Sequence, residues 1–330
     1  MMSAIMKAPV GDDVLNEDPT IIELETKLAK MFGKSSGLFF PTGTMSNLCG
    51  IMAHCHGRGS EIILGRSSHL CLYEHGNLST LGSIHSRQIR ENDDATLPID
   101  EIIKSIREDD PHYPRTDVVA IENTHNVLGG VPIPKSYVDA LGTKLASEHA
   151  LPLHIDGARI FNACVALNTS PKDLCENASS VSICLSKGLG SPVGSVLVGS
   201  EELIYRARRQ RKACGGGMRQ AGVIAAAGIY AIENNVERLA EDHQKAMYLS
   251  KVLSKAGYIV NREPETNLFF FGLPDDSKTS LDEIVGEAEK QGILFGGGYS
   301  GGTQCRLAAH KDVSMEDIEE AARVISELIK

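Results

Sequence analysis

From about residue 20 to residue 200 the chain alternates short apolar runs with stretches of helical periodicity, and no other feature limits the fold as tightly. Residues 21–32 are expected to form an amphipathic helix, with Ile21, Leu24, Leu28 and Phe32 on one face. The runs 37–40, 62–64, 118–121, 152–155, 181–185 and 194–198 are expected strands. Strands separated by helical segments imply an α/β fold, a mostly parallel central sheet covered by helices. Residues 220–255 read as mostly helical. Beyond them, expected strands at 258–260, 268–271, 293–295 and 305–308 alternate with two helices. The last helix opens with Ser314 followed three residues later by Asp317, a capping pattern, and its apolar face is Ile318, Ala321, Ala322, Ile325 and Leu328. The expected division is a large domain over 1–240 and a small α+β domain over 241–330.

Composition narrows the partners. Net charge is −10, which argues against nucleic acid or an anionic membrane surface as the main partner. No apolar run is long enough to span a bilayer, and the first residues lack the layout of a signal peptide. The chain holds 8 cysteines without a C-x-x-C pair, so a reduced, cytoplasmic compartment is expected. His54-Cys55-His56 has no second ligand pair and reads as a helix end, so no metal site is expected. A basic run, Arg206 to Lys212, stands against the acidic balance.

In open α/β sheets ligands bind beyond the carboxyl ends of the strands. Here those ends carry Thr42-Gly43-Thr44, Ser67-Ser68-His69, Glu122 to Asn126, Asp156-Gly157-Ala158-Arg159 and Ser186-Lys187-Gly188. Thr42-Gly43-Thr44 at a helix start is an anion site or a plain N-cap. Lys187 is a desolvated nucleophile or an exposed turn lysine. Asp156 partners a cationic ring nitrogen or pairs with Arg159. Gly188 to Gly194 matches a dinucleotide fingerprint poorly, because its third glycine is one residue late and Pro192 interrupts. The combination decides: an anion cradle, a lysine, a carboxylate and His69 over a ring face are what pyridoxal 5′-phosphate (PLP) needs.

Longer stretches carry a family likeness. Val10-Gly-Asp-Asp-Val14 with Glu17-Asp-Pro-Thr20, Pro41-Thr-Gly-Thr-Met-Ser-Asn47, Ala120-Ile-Glu-Asn-Thr-His-Asn126, His154-Ile-Asp-Gly-Ala-Arg-Ile-Phe-Asn162, Cys184-Leu-Ser-Lys-Gly-Leu189 and Gly215-Gly-Gly-Met-Arg-Gln-Ala-Gly222 occur in order, followed by Arg306-Leu and His310-Lys-Asp312. With them the chain resembles the L-threonine aldolases of low-specificity or L-allo type, fold-type I PLP enzymes. The resemblance implies that Lys187 is the Schiff-base lysine, that Asp156 partners the ring nitrogen, that His69 stacks on the ring, and that Gly43 and Thr44 bind phosphate. It implies Arg159 and Arg306 for the substrate carboxylate and His125 near the substrate hydroxyl. Lys212 and Arg219 match residues that reach a neighbouring subunit's cofactor, which implies a homo-oligomer with shared sites, a dimer of dimers. A solvated helix face is the reading for Arg206, Arg208 and Arg209.

The implied reaction is retro-aldol Cα–Cβ cleavage of L-threonine or L-allo-threonine to glycine and acetaldehyde, with His69 or His125 as the base. The family carries an Arg-Ser-Asp-Thr segment ahead of the stretch that here starts at Val10, and tyrosine and glycine where this chain has Leu15 and Asn16. The alternative expectations are therefore a truncated PLP-binding form with little turnover, or a different PLP reaction such as β-elimination or serine hydroxymethyl transfer.

Overall fold

The computed structural model describes residues 1–329, which form two compact units: 1–128 with 133–236, and 129–132 with the chain from Glu237 onward. The first unit is built on seven strands: β1 (Ser36–Phe40), β2 (Ser60–Gly65), β3 (His85–Ile89), β4 (Arg115–Glu122), β5 (Leu153–Gly157), β6 (Ser180–Cys184) and β7 (Ser195–Gly199), in the order β1-β7-β6-β5-β4-β2-β3. Every residue of β2, β5, β6 and β7 is buried, so helices cover both faces, as the continuous apolar runs require.

The pairs β3–β2, β2–β4, β4–β5 and β5–β6 are parallel, whereas β7 is antiparallel to both β6 and β1. The connection 185–194 holds no helix, so the chain can only turn back beside β6. The return registers Cys184 with Ser195 and Ser195 with Phe40. The carboxyl ends of β1 and β6 are thus brought to one edge of the sheet, with Lys187 on the loop between β6 and β7.

Strand β3 was not among the expected strands. Its sequence, His-Ser-Arg-Gln-Ile, has a single apolar residue: it closes one edge of the sheet with only Ile89 buried, whereas β1 at the other edge buries four residues. The helix expected over 21–32 spans Pro19–Met31. Asp18 sets its start by accepting from the amides of Thr20 and Ile21, with Pro19 as the first helical residue.

In the second unit, β8 (Leu268–Phe271), β9 (Gly296–Tyr299) and β10 (Gln304–Ala308) form an antiparallel sheet in the order β8-β10-β9, beside the helices Leu239–Ala256, Leu281–Lys290 and Met315–Leu328. Phe269, Phe271, Leu253, Ile284 and Ile325 share its core. The capping box of Ser314 and Asp317 is present. Two expected strands are corrected. Residues 258–260 make only an isolated bridge, Ile259 to Gly272, while the Tyr258 ring is buried and its hydroxyl donates to the Ile325 carbonyl at 2.7 Å. The apolar run 293–295 packs Ile293 and Phe295 on the core, and the strand begins one residue later, in glycines that carry no apolar signal.

Asp18 also accepts from the Gly222 amide at 2.8 Å, which ties the helix 19–31 to the start of the helix Gly222–Asn235. Asp18→Ala leaves three buried amides without an acceptor. Denaturant titration is expected to show a loss of about 2–4 kcal/mol; a loss below about 0.5 kcal/mol would contradict this account.

Candidate active site

The helix Gly43–His54 begins directly after β1. Thr42 caps it, its hydroxyl accepting from the Met45 amide at 3.2 Å. The first-turn amides of a helix have no intrahelical acceptor, so this end favours an anion. Thr42 and Thr44 are exposed here and can add hydroxyl donors. Gly43 is glycine for a steric reason: a Cβ there would lie 2.6 Å from the Cys184 sulfur at the end of β6.

A cavity of about 230 Å³ opens at this sheet edge, and Thr42, Gly43, Thr44, His69, Asp156 and Lys187 all line it. The strand ends thus bring together the candidate anion cradle, lysine, carboxylate and imidazole. Glu74 and Cys184 line it as well. Lys187 is half-buried, with Nζ 3.9 Å from Cys184 Sγ.

Asp156 is 2% exposed. Its Oδ1 accepts from the Ala158 amide at 3.1 Å, while Oδ2 is buried with no hydrogen-bond partner. Burial pushes its carboxyl well above the usual range, and the Glu122 and Glu74 carboxylates push the same way; Lys187 and His69 only partly oppose them. His69, Glu74 and Asp156 bring ligand atoms within 4.8 Å of one another. A buried acidic corner of this kind calls for a cation, and a protonated ring nitrogen meets the need as well as an ion does.

His69 is held twice: its amide donates to Glu122 Oε2 at 2.7 Å, and its Nδ1 is 2.9 Å from Glu74 Oε1. The bond to Glu74 raises the imidazole's pKa and Asp156 adds to this, against burial. His125 does not border the cavity. It is buried, with Nε2 3.4 Å from Glu91 Oε1 and Nδ1 without a partner. Burial alone would lower its pKa, but the Glu122 and Glu91 carboxylates outweigh it and the net shift is upward.

Glu74 and Glu91 were not picked out in the sequence, and Glu122 was named only as part of a polar strand end, without a role. The available signal for Glu74 was an acid closing the otherwise apolar Leu70-Cys-Leu-Tyr, five residues after His69. Glu91 follows the edge strand that the apolar pattern did not reveal.

Arg159 donates to Asn126 Oδ1 at 3.3 Å in the first unit. Arg306 belongs to the second unit, where its guanidinium lies 5.0 Å from the Tyr299 ring centre. Lys212 and Arg219 are exposed and do not line the cavity of their own chain; Arg219 pairs with Asp12 at 2.6 Å. The solvated-face reading of the basic run fails for two residues. Arg206 donates to the Cys55 carbonyl at 2.7 Å, and Arg208 pairs with Glu25 at 3.3 Å, both half-buried, because this helix packs its basic side against neighbouring elements. Arg209 is exposed, and the triplet His54-Cys55-His56 does end a helix.

Asp156→Asn removes the buried charge and keeps an acceptor for Ala158. A carboxyl with a raised folded-state pKa costs stability above that pKa and nothing below its unfolded value near 4. In the ligand-free protein the variant is therefore expected to melt about 2–4 °C higher at pH 8, with the gain vanishing near pH 4. Thermal melts across pH check this, and a lower midpoint at pH 8 contradicts it.

The sequence model of the beta-eliminating lyases matches residues 1–275. The low specificity L-threonine aldolase of Escherichia coli O157:H7 is 44% identical over 323 residues, covering 98% of this chain and 93% of that protein. The low-specificity L-threonine aldolase 1 of Arabidopsis thaliana is 42% identical over 324 residues, covering 96% and 89%. Among solved structures, Leishmania major threonine aldolase superposes with a TM-score of 0.79 at 18% identity, over 94% of this chain and 90% of that one. This likeness is one of fold, the fold-type I arrangement that the family resemblance implied. With the family model spanning most of its length and relatives of this identity aligned nearly end to end, the chain belongs to the beta-eliminating lyase family, among its low-specificity L-threonine aldolases.

Proposed function

We propose that this protein is a PLP-dependent aldolase that cleaves L-threonine or L-allo-threonine to glycine and acetaldehyde. One observation carries the reading. A single cavity joins a helix start, a lysine and a buried carboxylate with one oxygen that lacks a partner. The residues fit the cofactor on their own terms. The amides and hydroxyls of Thr42-Gly43-Thr44 would hold a phosphate, and Gly43 leaves the room a Cβ would fill. Lys187 would hold the aldehyde carbon, and Asp156 Oδ2 would accept from a protonated ring nitrogen. That bond would also offset the cost of the buried charge.

When bound, PLP supplies the electron sink that allows a Cα–Cβ bond to break. The protein's part is to bind, to orient and to move protons. Glu74 fixes the His69 ring at the cavity wall, where it can cover a flat ligand. In the neutral form of His125 the bond to Glu91 puts the proton on Nε2, which leaves Nδ1 as a lone-pair acceptor. This supports His125 as the group that takes the substrate's β-hydroxyl proton. The substrate-carboxylate roles of Arg159 and Arg306 rest on the family motif.

Lys212 and Arg219 lie outside their own cavity and are exposed, which supports their reaching a neighbouring copy in a homo-oligomer, a tetramer by the family's pattern. Among the described residues no helix is long and apolar enough to cross a membrane. A cytoplasmic location is part of the proposal. The little-turnover, β-elimination and hydroxymethyl-transfer alternatives are not favoured, since the aligned relatives are threonine aldolases.

The test is a product assay with threonine, allo-threonine and serine. The protein is expected to release acetaldehyde from the first two. Lys187→Ala should lose both the release and the cofactor's absorbance at the visible edge; an unchanged spectrum would refute the lysine's role. His125→Asn should lower kcat by about 100-fold or more with the cofactor spectrum retained. If His69→Asn shows that loss and His125→Asn does not, the base is His69.

A further inference from the structure

The buried wall behind His69 contains a chain of polar groups that the site as described does not use. Glu74 Oε1 lies 2.9 Å from His69 Nδ1 and 3.0 Å from Asn47 Nδ2. Asn47 Oδ1 lies 3.3 Å from His154 Nε2. His154 Nδ1 lies 2.8 Å from Ser180 Oγ, and that oxygen lies 2.7 Å from His54 Nε2. Asn47, Glu74, His154 and Ser180 are each at most 2% exposed. The groups come from the helix 43–54, the segment after His69, β5 and β6, all within the first unit.

Elementary donor arithmetic fixes every proton in this chain. A carboxylate only accepts, so Asn47 must turn its NH2 to Glu74 and its carbonyl oxygen to His154. His154 must then donate from Nε2, which leaves Nδ1 as an acceptor for the Ser180 hydroxyl. The Ser180 oxygen in turn accepts from His54 Nε2. Every donor points the same way, toward Glu74, and His69 donates to the same carboxylate oxygen from the cavity side. Bonds aligned head to tail polarise one another and strengthen the last donation, into Glu74 Oε1.

We propose that Asn47 and His154 are positioning residues of the active site, which set the direction and strength of the Glu74 carboxylate that holds His69. The proposal rests on the reading of His69 as a residue covering the cofactor. A core required only for stability would be served by apolar side chains at these positions, without an aligned run of donors ending on a site carboxylate. Burial depresses both inner imidazoles, His154 to about 3 and His54 to about 4, which keeps them neutral and the donor order intact at ordinary pH. The charged groups facing His69 are Glu74 at Nδ1, Glu122 at its amide, and Asp156 and Lys187 across the cavity. Glu74 Oε2 additionally accepts from Asn77 Nδ2 at 3.3 Å.

The test reads the His69 imidazole directly, by NMR titration of ring-labelled protein, with His69→Asn to assign its signal. Without the Asn47 donor the charge of Glu74 concentrates on His69 and favours its protonated form. Asn47→Leu and His154→Leu are therefore expected to raise the His69 pKa by about 0.5 to 1, while Glu74→Gln lowers it. His154→Gln, whose amide can still donate to Asn47, should stay within about 0.2 of the parent. The acid limb of the kcat/KM profile should move with these values. A His69 pKa unmoved by Asn47→Leu and His154→Leu, in the face of a shift in Glu74→Gln, overturns the proposal. So does a His154→Gln variant displaced as far as His154→Leu. If the leucine variants do not fold, Asn47→Ser and Ser180→Ala interrupt the chain without added bulk and are judged by the same criterion. Absence of acetaldehyde from the parent protein would refute the aldolase reading and leave the titration to decide this one.

Discussion

The energetic centre of this molecule is the buried negative charge at the carboxyl ends of β4 and β5. Glu122 and Asp156 face each other in the parallel register, Glu74 sits against the same wall, and Asp156 keeps one oxygen without a partner. Such a group in a low-dielectric interior is costly unless a cation meets it. The local architecture answers the charge piece by piece. Amides of His69 and Asn126 bind Glu122, while His69 and two asparagines bind Glu74. Only Asp156 is left short, and it lines the cavity that also contains Lys187.

This distribution separates two kinds of polar burial. The satisfied groups lock side-chain orientation: His69 is tied at its amide and at Nδ1, so its ring has little freedom. The unsatisfied one stores a demand for a ligand. A site assembled this way is preorganised without being neutralised, which is what a cationic ring nitrogen would require of it.

The fold was legible where the sheet is buried on both faces, since Leu38-Phe39-Phe40, Ile62-Ile63-Leu64 and Val181 to Cys184 are apolar runs that any solvent-exposed strand would lack. It was not legible at the edge, where β3 needs only one buried side chain, or in β9, where glycines follow the apolar run that packs the core. The site was legible as the lysine, carboxylate and threonine-glycine cradle, because each directly follows a recognisable strand. The supporting carboxylates were not: Glu91 meets a histidine far along the chain, and Glu74, though near His69 in sequence, ends an apolar stretch that carries no site pattern. The basic run shows the same limit: Arg206 and Arg208 look like surface residues until the Cys55 carbonyl and Glu25 are brought beside them.

The sequence by itself determined the alternating architecture, the strand ends at which chemistry could occur, and the residues carrying the threonine aldolase likeness. Periodicity and local order encode these, and they require only near neighbours. Tertiary structure alone decided that β7 runs backward to bring the end of β1 to the end of β6, that one oxygen of Asp156 stays unpartnered, and that His125 meets Glu91. These depend on distances between segments tens of residues apart. Hydrogen-bond satisfaction and desolvation are set by those distances and by no local pattern.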